Sequence, residues 1–110
     1  MPDHDLVMYT RTTGCPFVTI AVRVLREHNI TYREIFIDKD PLARQRVRTW
    51  TGFLSVPTLI VAEPDSVLPV AEPDPLPEGT SPQGIDRGTM LTEPREPQLI
   101  AWLQKHEFIR

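Results

Sequence analysis

One thiol dominates the chemistry available to this chain. Cys15 is the only cysteine, and it stands in Thr13-Gly14-Cys15-Pro16-Phe17, between the apolar run Leu6-Val7-Met8-Tyr9 and a helical face made by Phe17, Ile20, Ala21, Val24 and His28. The change from a short apolar run to a helical period predicts a strand that hands over to a helix. Cys15 is then the N-cap and Pro16 the first helical residue, where a missing N–H and a fixed φ cost the helix nothing. A sulfur at that point meets the positive end of the helix dipole and the free amides of the first turn, which favour the thiolate. Other chemistries fit less well. A Cys–His pair has no local partner, because His28 lies thirteen residues further along the same helix, on the order of 20 Å away. His4 and His106 lie near the chain ends, and no cluster of Cys, His and carboxylates has zinc-site spacing. An inert buried cysteine is the plain alternative, but a Gly-Cys-Pro strand-to-helix junction is not core chemistry.

The elements that must position this sulfur read in the order β, α, β, α, β up to about Val61. The first helix closes near His28-Asn29, since Asn tolerates the left-handed conformation. Thr31 to Ile37 forms the second strand, with Tyr32, Ile35, Phe36 and Ile37 supplying bulk. Asp40-Pro41 caps and starts a second helix that Gly52 ends, with Leu42, Val47 and Trp50 as its apolar stripe. Pro57-Thr58-Leu59-Ile60-Val61 is the third strand, its proline at the first residue, where a lost donor matters least. Leu99, Ile100, Trp102 and Leu103 mark a final helix from near Pro94 or Pro97, with 98–106 as its span. Trp50 and Trp102 serve as core anchors.

Between these parts the composition changes. Residues 63–97 hold eight of the twelve prolines and eight of the fifteen acidic side chains, against two arginines. The segment therefore carries a net −6 in a chain of net −3, and the remainder is basic. Two readings stand for it: a disordered linker, which its proline and acid content favours, and a cover ordered by attraction to that remainder, in which Val67, Leu68, Val70, Ile85, Met90 and Leu91 pack on the sheet edge or third helix and Asp86 or Arg87 approaches Cys15. Two stretches compete for a fourth strand, Val67–Val70 and Gly88–Thr92.

At 110 residues the chain has room for one domain and one modest core. Mild net charge gives no reason for nucleic-acid binding. No apolar stretch nears the ~20 residues needed to span a bilayer, and the N-terminus Met1-Pro2-Asp3-His4-Asp5 is acidic where a signal peptide is basic. A cytoplasmic protein without membrane contact is expected, and a lone cysteine forms no internal disulfide in that reducing compartment.

The sequence resembles the glutaredoxins over residues 6–61. Val7-Met8-Tyr9-Thr10-Arg11 is similar to the family's first strand with its basic residue, Cys15-Pro16-Phe17 to its Cys-Pro-Tyr or Cys-Pro-Phe motif, and Ser55-Val56-Pro57-Thr58 to its Thr-Val-Pro motif. Pro57 follows Cys15 by 42 residues. The resemblance implies a thioredoxin-like α/β fold, a mixed four-stranded sheet flanked by three helices, here one domain over 1–110 with a proline-rich insertion before the last helix. It implies that Cys15 is the nucleophile and that Pro57 follows a cis bond and faces it. Val56 would offer backbone pairing to a thiol peptide such as glutathione. Arg11, Pro16, Phe17, Val56, Pro57, Thr58 and Arg48 would form the small-thiol site, with Phe17 as one wall. Arg44 and Arg46 accompany Arg48 on the second helix.

Two departures shape the expected function. Val18 replaces the second cysteine of a C-x-x-C pair, so a mixed disulfide on Cys15 must be released by another molecule. The family's Gly-Gly-x-Asp element is also missing; Gly84-Ile85-Asp86-Arg87-Gly88 reads first as a surface turn and, as the alternative, as its substitute. The expected activity is a monothiol thiol–disulfide oxidoreductase, monomer or weak dimer, with a small thiol as co-substrate, disulfide-bearing proteins as partners and no permanent cofactor or metal. The rival readings are a non-catalytic module presenting the acidic proline-rich segment, and a dimeric carrier of a [2Fe-2S] cluster held by Cys15 and external thiols.

Overall fold

Leu6, Val7, Met8 and Tyr9 form the middle of strand β1 (Asp5–Thr10), and the alternation of their side chains decides how the layers stack. A computed structural model gives the fold of residues 3–109; Met1, Pro2 and Arg110 lie outside the described residues, as does their part in the N-terminal and single-domain expectations. Leu6 and Met8 pack on one side of the sheet with α1 (Pro16–Glu27) and α3 (Glu96–Lys105), through Ala21, Val24, Leu25, Leu99, Trp102 and Leu103. Val7 and Tyr9 pack on the other with α2 (Pro41–Thr51), through Ala43 and Val47. With both faces covered, the middle of β1 must be apolar, and this is why Leu6–Tyr9 reads as a run rather than an alternation.

The sheet is completed by β2 (Arg33–Phe36), β3 (Thr58–Ala62) and β4 (Met90–Thr92), in the spatial order β2-β1-β3-β4. β1 and β2 run parallel across the α1 crossover, while β3 is antiparallel to both of its neighbours. This is the expected thioredoxin-like arrangement of a mixed four-stranded sheet and three helices. No helix among the described residues is long and apolar enough to cross a membrane.

Local chemistry explains the helix ends. Asn29 takes φ 54, and the N–H of Ile30 reaches the Leu25 carbonyl at 2.9 Å, a Schellman closure of α1. The Asp40 carboxylate accepts from the N–H groups of Leu42 and Ala43 at 3.0 and 3.2 Å, and Gly52 at φ 78 closes α2. α3 starts at Glu96 rather than at 98, because the Arg95 N–H donates to the Gln98 side chain at 2.8 Å and sets the cap two residues earlier.

Several expectations need correction. β2 is shorter than Thr31–Ile37, since Thr31 and Tyr32 are spent on the approach from α1; the Ile37 N–H still reaches the Thr10 carbonyl at 2.9 Å. Leu42 lies outside the apolar stripe of α2, at 64% exposed, and Trp50 is half-buried, stacked edge-on against Tyr9 at 5.2 Å. The fourth strand is the Gly88–Thr92 candidate, trimmed to Met90–Thr92. Val67–Val70 makes only one bridge, Ala62 to Pro69, because Pro69 has no N–H with which to extend a ladder.

Up to Thr89 the proline-rich segment is ordered without a helix or ladder of its own. The Tyr9 hydroxyl donates to the Val67 carbonyl, Arg33 Nη2 reaches the Ser66 carbonyl at 2.6 Å, and the Val70 N–H reaches Val61 at 2.9 Å. Further along, Arg87 is buried and donates from Nε to the Asp74 carbonyl and from Nη1 to the Trp50 carbonyl, both at 2.7 Å. Met90 and Leu91 pack as expected and Val70 lies against the core, but Leu68 and Ile85 remain exposed. Gly84 has φ 72, a conformation that favours glycine, and a Cβ there would stand 2.7 Å from the Gln98 side-chain amide, which would have to move aside.

Candidate functional site

Cys15 is the N-cap of α1, with extended backbone at φ −145 and Pro16 as the first helical residue. Its side chain is half-buried, and its Sγ donates to the Val56 carbonyl at 3.7 Å. The sulfur is thus held between the first turn of a helix, whose amides have no internal acceptor, and the strand entry of β3. The Val56–Pro57 peptide is cis. No hydrogen bond among the described residues uses the Val56 N–H, so the residue whose carbonyl faces the sulfur keeps a free donor there.

A cleft of about 460 Å³ opens over this sulfur, lined by Arg11, Cys15, Phe53, Leu54, Ser55, Val56, Ser81 and Glu93. Arg11 comes from the loop after β1. That loop is fixed by Asp38, whose carboxylate accepts the Thr12 N–H at 3.2 Å and the Thr12 hydroxyl. The hydroxyl bond outweighs desolvation and, with the backbone N–H groups and Lys39, lowers the Asp38 pKa from its ordinary value. Phe53 and Leu54 follow the left-handed Gly52, which swings the chain out of α2 towards the cleft; Phe53 is 53% exposed. Glu93 follows β4 at φ 44, and its N–H binds the Pro57 carbonyl at 2.8 Å.

Of the residues expected at the small-thiol site, the structure brings Cys15, Arg11 and Val56 to one cleft and leaves the others off its lining. Thr58 is fully buried, its hydroxyl donating to the Ser55 carbonyl at 2.9 Å and lying 3.0 Å from the Thr92 hydroxyl, so its side chain braces β3 against β4 instead of meeting solvent. Pro57 is buried too, and Pro16 and Phe17 start α1 beside the cleft. The wall expected of Phe17 is supplied by Phe53 and Leu54. Arg44 and Arg48 are exposed on α2, while Arg46 turns to Tyr9, whose hydroxyl pKa is raised by burial despite that arginine. Arg48 does not line the cleft.

The segment 63–97 does reach the cleft, through Ser81 and Glu93 rather than through Asp86 or Arg87. Asp86 is held by Lys105 Nζ at 2.6 and 2.8 Å and by the Gly88 N–H at 2.8 Å, which ties it to the C-terminal end of α3; neither Asp86 nor Arg87 lines the cleft. Sequence reading missed Phe53, Leu54, Ser55, Ser81 and Glu93. The first three flank the Val-Pro motif and could have been found by proximity; Ser81 and Glu93 carry no local signal. Among the described residues no group of three or more His, Cys, Asp or Glu is placed to hold a metal ion.

The family model of glutaredoxin matches residues 6–63. A glutaredoxin from Archaeoglobus fulgidus, of known crystal structure, is similar at 24% identity and a TM-score of 0.44, covering 57% of this chain and 71% of that one. No curated protein matches the chain.

Proposed function

The chain belongs to the glutaredoxin family, and from that premise we propose that it exchanges thiols and disulfides by a monothiol route through Cys15, with a small thiol such as glutathione as co-substrate. The observation that carries this reading is the position of the Cys15 sulfur, at a helix N-terminus on the floor of a cleft and 3.7 Å from the Val56 carbonyl. In the first step the Cys15 thiolate attacks the small-thiol sulfur of a mixed disulfide. A Cys15–small-thiol disulfide forms, the old S–S bond breaks, and the protein half leaves as a thiolate that takes a proton from water. A second small-thiol thiolate then attacks the sulfur held on Cys15, giving the symmetric small-thiol disulfide and regenerating the Cys15 thiolate. Val18 stands where a resolving thiol would be, so both electrons come from the small thiol.

The unpartnered Val56 N–H supports pairing with an extended substrate, and the exposed Phe53 offers an apolar rim for the protein half. The test is reduction of a glutathionylated peptide by glutathione with and without the protein. Cys15→Ser is expected to bring the rate down to the uncatalysed level while changing stability by no more than about 0.5 kcal/mol, because the site is half-exposed. Full activity in Cys15→Ser would defeat the reading.

A further inference from the structure

Residues 74–87 form a loop closed at its base. The Asp74 N–H donates to the Arg87 carbonyl at 3.0 Å, and Arg87 Nε donates back to the Asp74 carbonyl at 2.7 Å. The span falls within the roughly 6–16 residues of a compact Ω-loop, whose ends meet while its body reaches over the surface. That body reaches the cleft above Cys15 through Ser81, which stands between Gly79 at φ 78 and Gly84 at φ 72. The returning arm is fixed to the end of β4, since the Gly84 N–H reaches the Thr92 carbonyl at 2.7 Å. The whole loop lies outside the family-matched residues 6–63.

Arg87 joins this loop to a second side of the cleft. It is 6% exposed, no carboxylate pairs with it among the described residues, and its Nη1 donates to the Trp50 carbonyl at 2.7 Å. That carbonyl belongs to the last turn of α2, where helix carbonyls lack an internal donor. Just beyond, Gly52 turns the chain into Phe53 and Leu54, which line the cleft. One guanidinium therefore fixes both the base of the Ser81 loop and the root of the Phe53 wall. A buried charge satisfied only by carbonyls is costly, and an apolar side chain would fill the same volume without tying the two walls together.

We infer that the Asp74–Arg87 loop selects the protein half of the mixed disulfide, admitting cysteines on extended, flexible segments and turning away those set in a folded surface, with Ser81 as the contact and Arg87 as the positioning residue. This rests on the thiol-exchange reading of Cys15 and names the class of protein that the exchange serves. An extended segment paired at Val56 needs one inter-strand spacing, about 4.8 Å. A cysteine on a helix brings a body about 10–12 Å across, and one within a sheet brings neighbouring strands with it. Between Phe53 and Leu54 on one side and Ser81 on another, the extended segment has room and the folded bodies meet the loop.

The test compares the full-length protein with Ser81→Trp, Arg87→Lys and a variant in which Gly-Gly replaces residues 80–83. Two substrates are reduced by glutathione: an unstructured peptide and folded serum albumin, each glutathionylated at one cysteine. In both, the Cys15 thiolate takes the glutathione sulfur, the substrate's S–S bond breaks and the peptide or albumin leaves as a thiolate. A second glutathione then frees Cys15 and leaves as the symmetric disulfide. Shortening the loop is expected to raise the albumin-to-peptide ratio of kcat/KM by about three- to tenfold, and Arg87→Lys, which keeps the charge but not both bonds, by about two- to threefold through KM. Ser81→Trp keeps the loop, narrows the cleft and is expected to lower kcat/KM for the peptide by about threefold or more. Ratios unmoved by loop shortening and by Arg87→Lys overturn the selection; should the shortened variant not fold, a peptide rate unmoved by Ser81→Trp overturns it. Labelling of Cys15 by N-ethylmaleimide and by the bulkier N-pyrenylmaleimide needs no exchange and separates the two readings. If the unmodified protein turns over neither substrate, the exchange reading fails and the selection of substrates with it, while a pyrenyl-to-ethyl ratio that rises on shortening still supports the loop's control of access and an unchanged one removes that too.

Discussion

Between Leu6 and Ala62 most of the chain belongs to a strand, a helix or a cap, whereas between Glu63 and Thr89 there is neither helix nor ladder. Both regions are ordered, and they are ordered by different means. In the first, β1 is buried on both faces and each helix is stopped by its own local signal, so many contacts share the load. In the second, the chain is pinned at separate points: Val67 by Tyr9, Val70 by Val61, Asp74 by Arg87, and Gly88 by both Trp102 Nε1 at 2.9 Å and His106 Nε2 at 2.7 Å. A region held by many packed side chains opens only with the whole fold, and one held by a few anchors opens locally when an anchor is lost.

The sharpest break in this comparison is a core truncation. Leu25 is fully buried among β1, α1 and α3, so Leu25→Ala is expected to cost about 2–5 kcal/mol. In urea unfolding the loss should appear in a single transition that carries the whole molecule. A separate early transition would show that the core is not one cooperative unit.

A smaller and more local effect is expected at Arg87. Arg87→Met keeps much of the buried volume but leaves the Asp74 and Trp50 carbonyls without their charged donor, a loss of about 1.5–3 kcal/mol. Protease should then cut within residues 72–88 while circular dichroism of the core is unchanged. Unchanged protection would mean that the segment is held by its other anchors.

Acid should loosen the same attachment in two stages. Burial lowers the His106 pKa below its ordinary 6.5, with Lys105 and His4 acting in the same direction and the Gly88 carbonyl and Asp86 opposing. The unfolded chain thus binds the proton first, and the contribution of neutral His106 is present above about pH 6.5 and is lost as pH falls through the lowered value. For Asp86 burial works upward, but the Lys105 hydrogen bond, the Gly88 N–H and the charges of Lys105 and His106 outweigh it and bring the pKa below 3.8. Its contribution is present above that ordinary value and is lost as pH falls through the folded-state value. Melting temperature against pH should decline less steeply below pH 6.5 for His106→Gln and below about pH 4 for Asp86→Asn. Curves that superimpose on the unmodified protein's would remove these groups from the attachment.

The smallest effect should be that of salt. The net −6 of residues 63–97 predicts charge-driven docking, yet the ion pairs found there among the described residues, Asp86 to Lys105, Glu96 to Arg23 and Glu63 to His4, have side chains 41–65% exposed. Such pairs contribute about 0–1 kcal/mol and are screened. Proteolysis of the segment is therefore expected to change little between low and moderate salt, and protection that vanishes with salt would restore charge as the main force.

What could be read from residue order alone was whatever is decided within a few residues. The β1-to-α1 junction at Cys15-Pro16, the cap at Asp40-Pro41, the stop at Gly52 and the apolar strands all depend on local φ, lost donors and side-chain period, and each stands where it was expected or within two residues of it. The sheet order, the choice of Met90–Thr92 over Val67–Val70, and the meeting of Arg11 with Glu93 across the cleft depend on contacts between residues far apart in the chain. Glu93 shows the difference most plainly. Nothing near it in sequence marks it as part of a site, and only the pairing of β3 with β4, through the Glu93 N–H on Pro57, carries its carboxylate to the cleft that Cys15 floors.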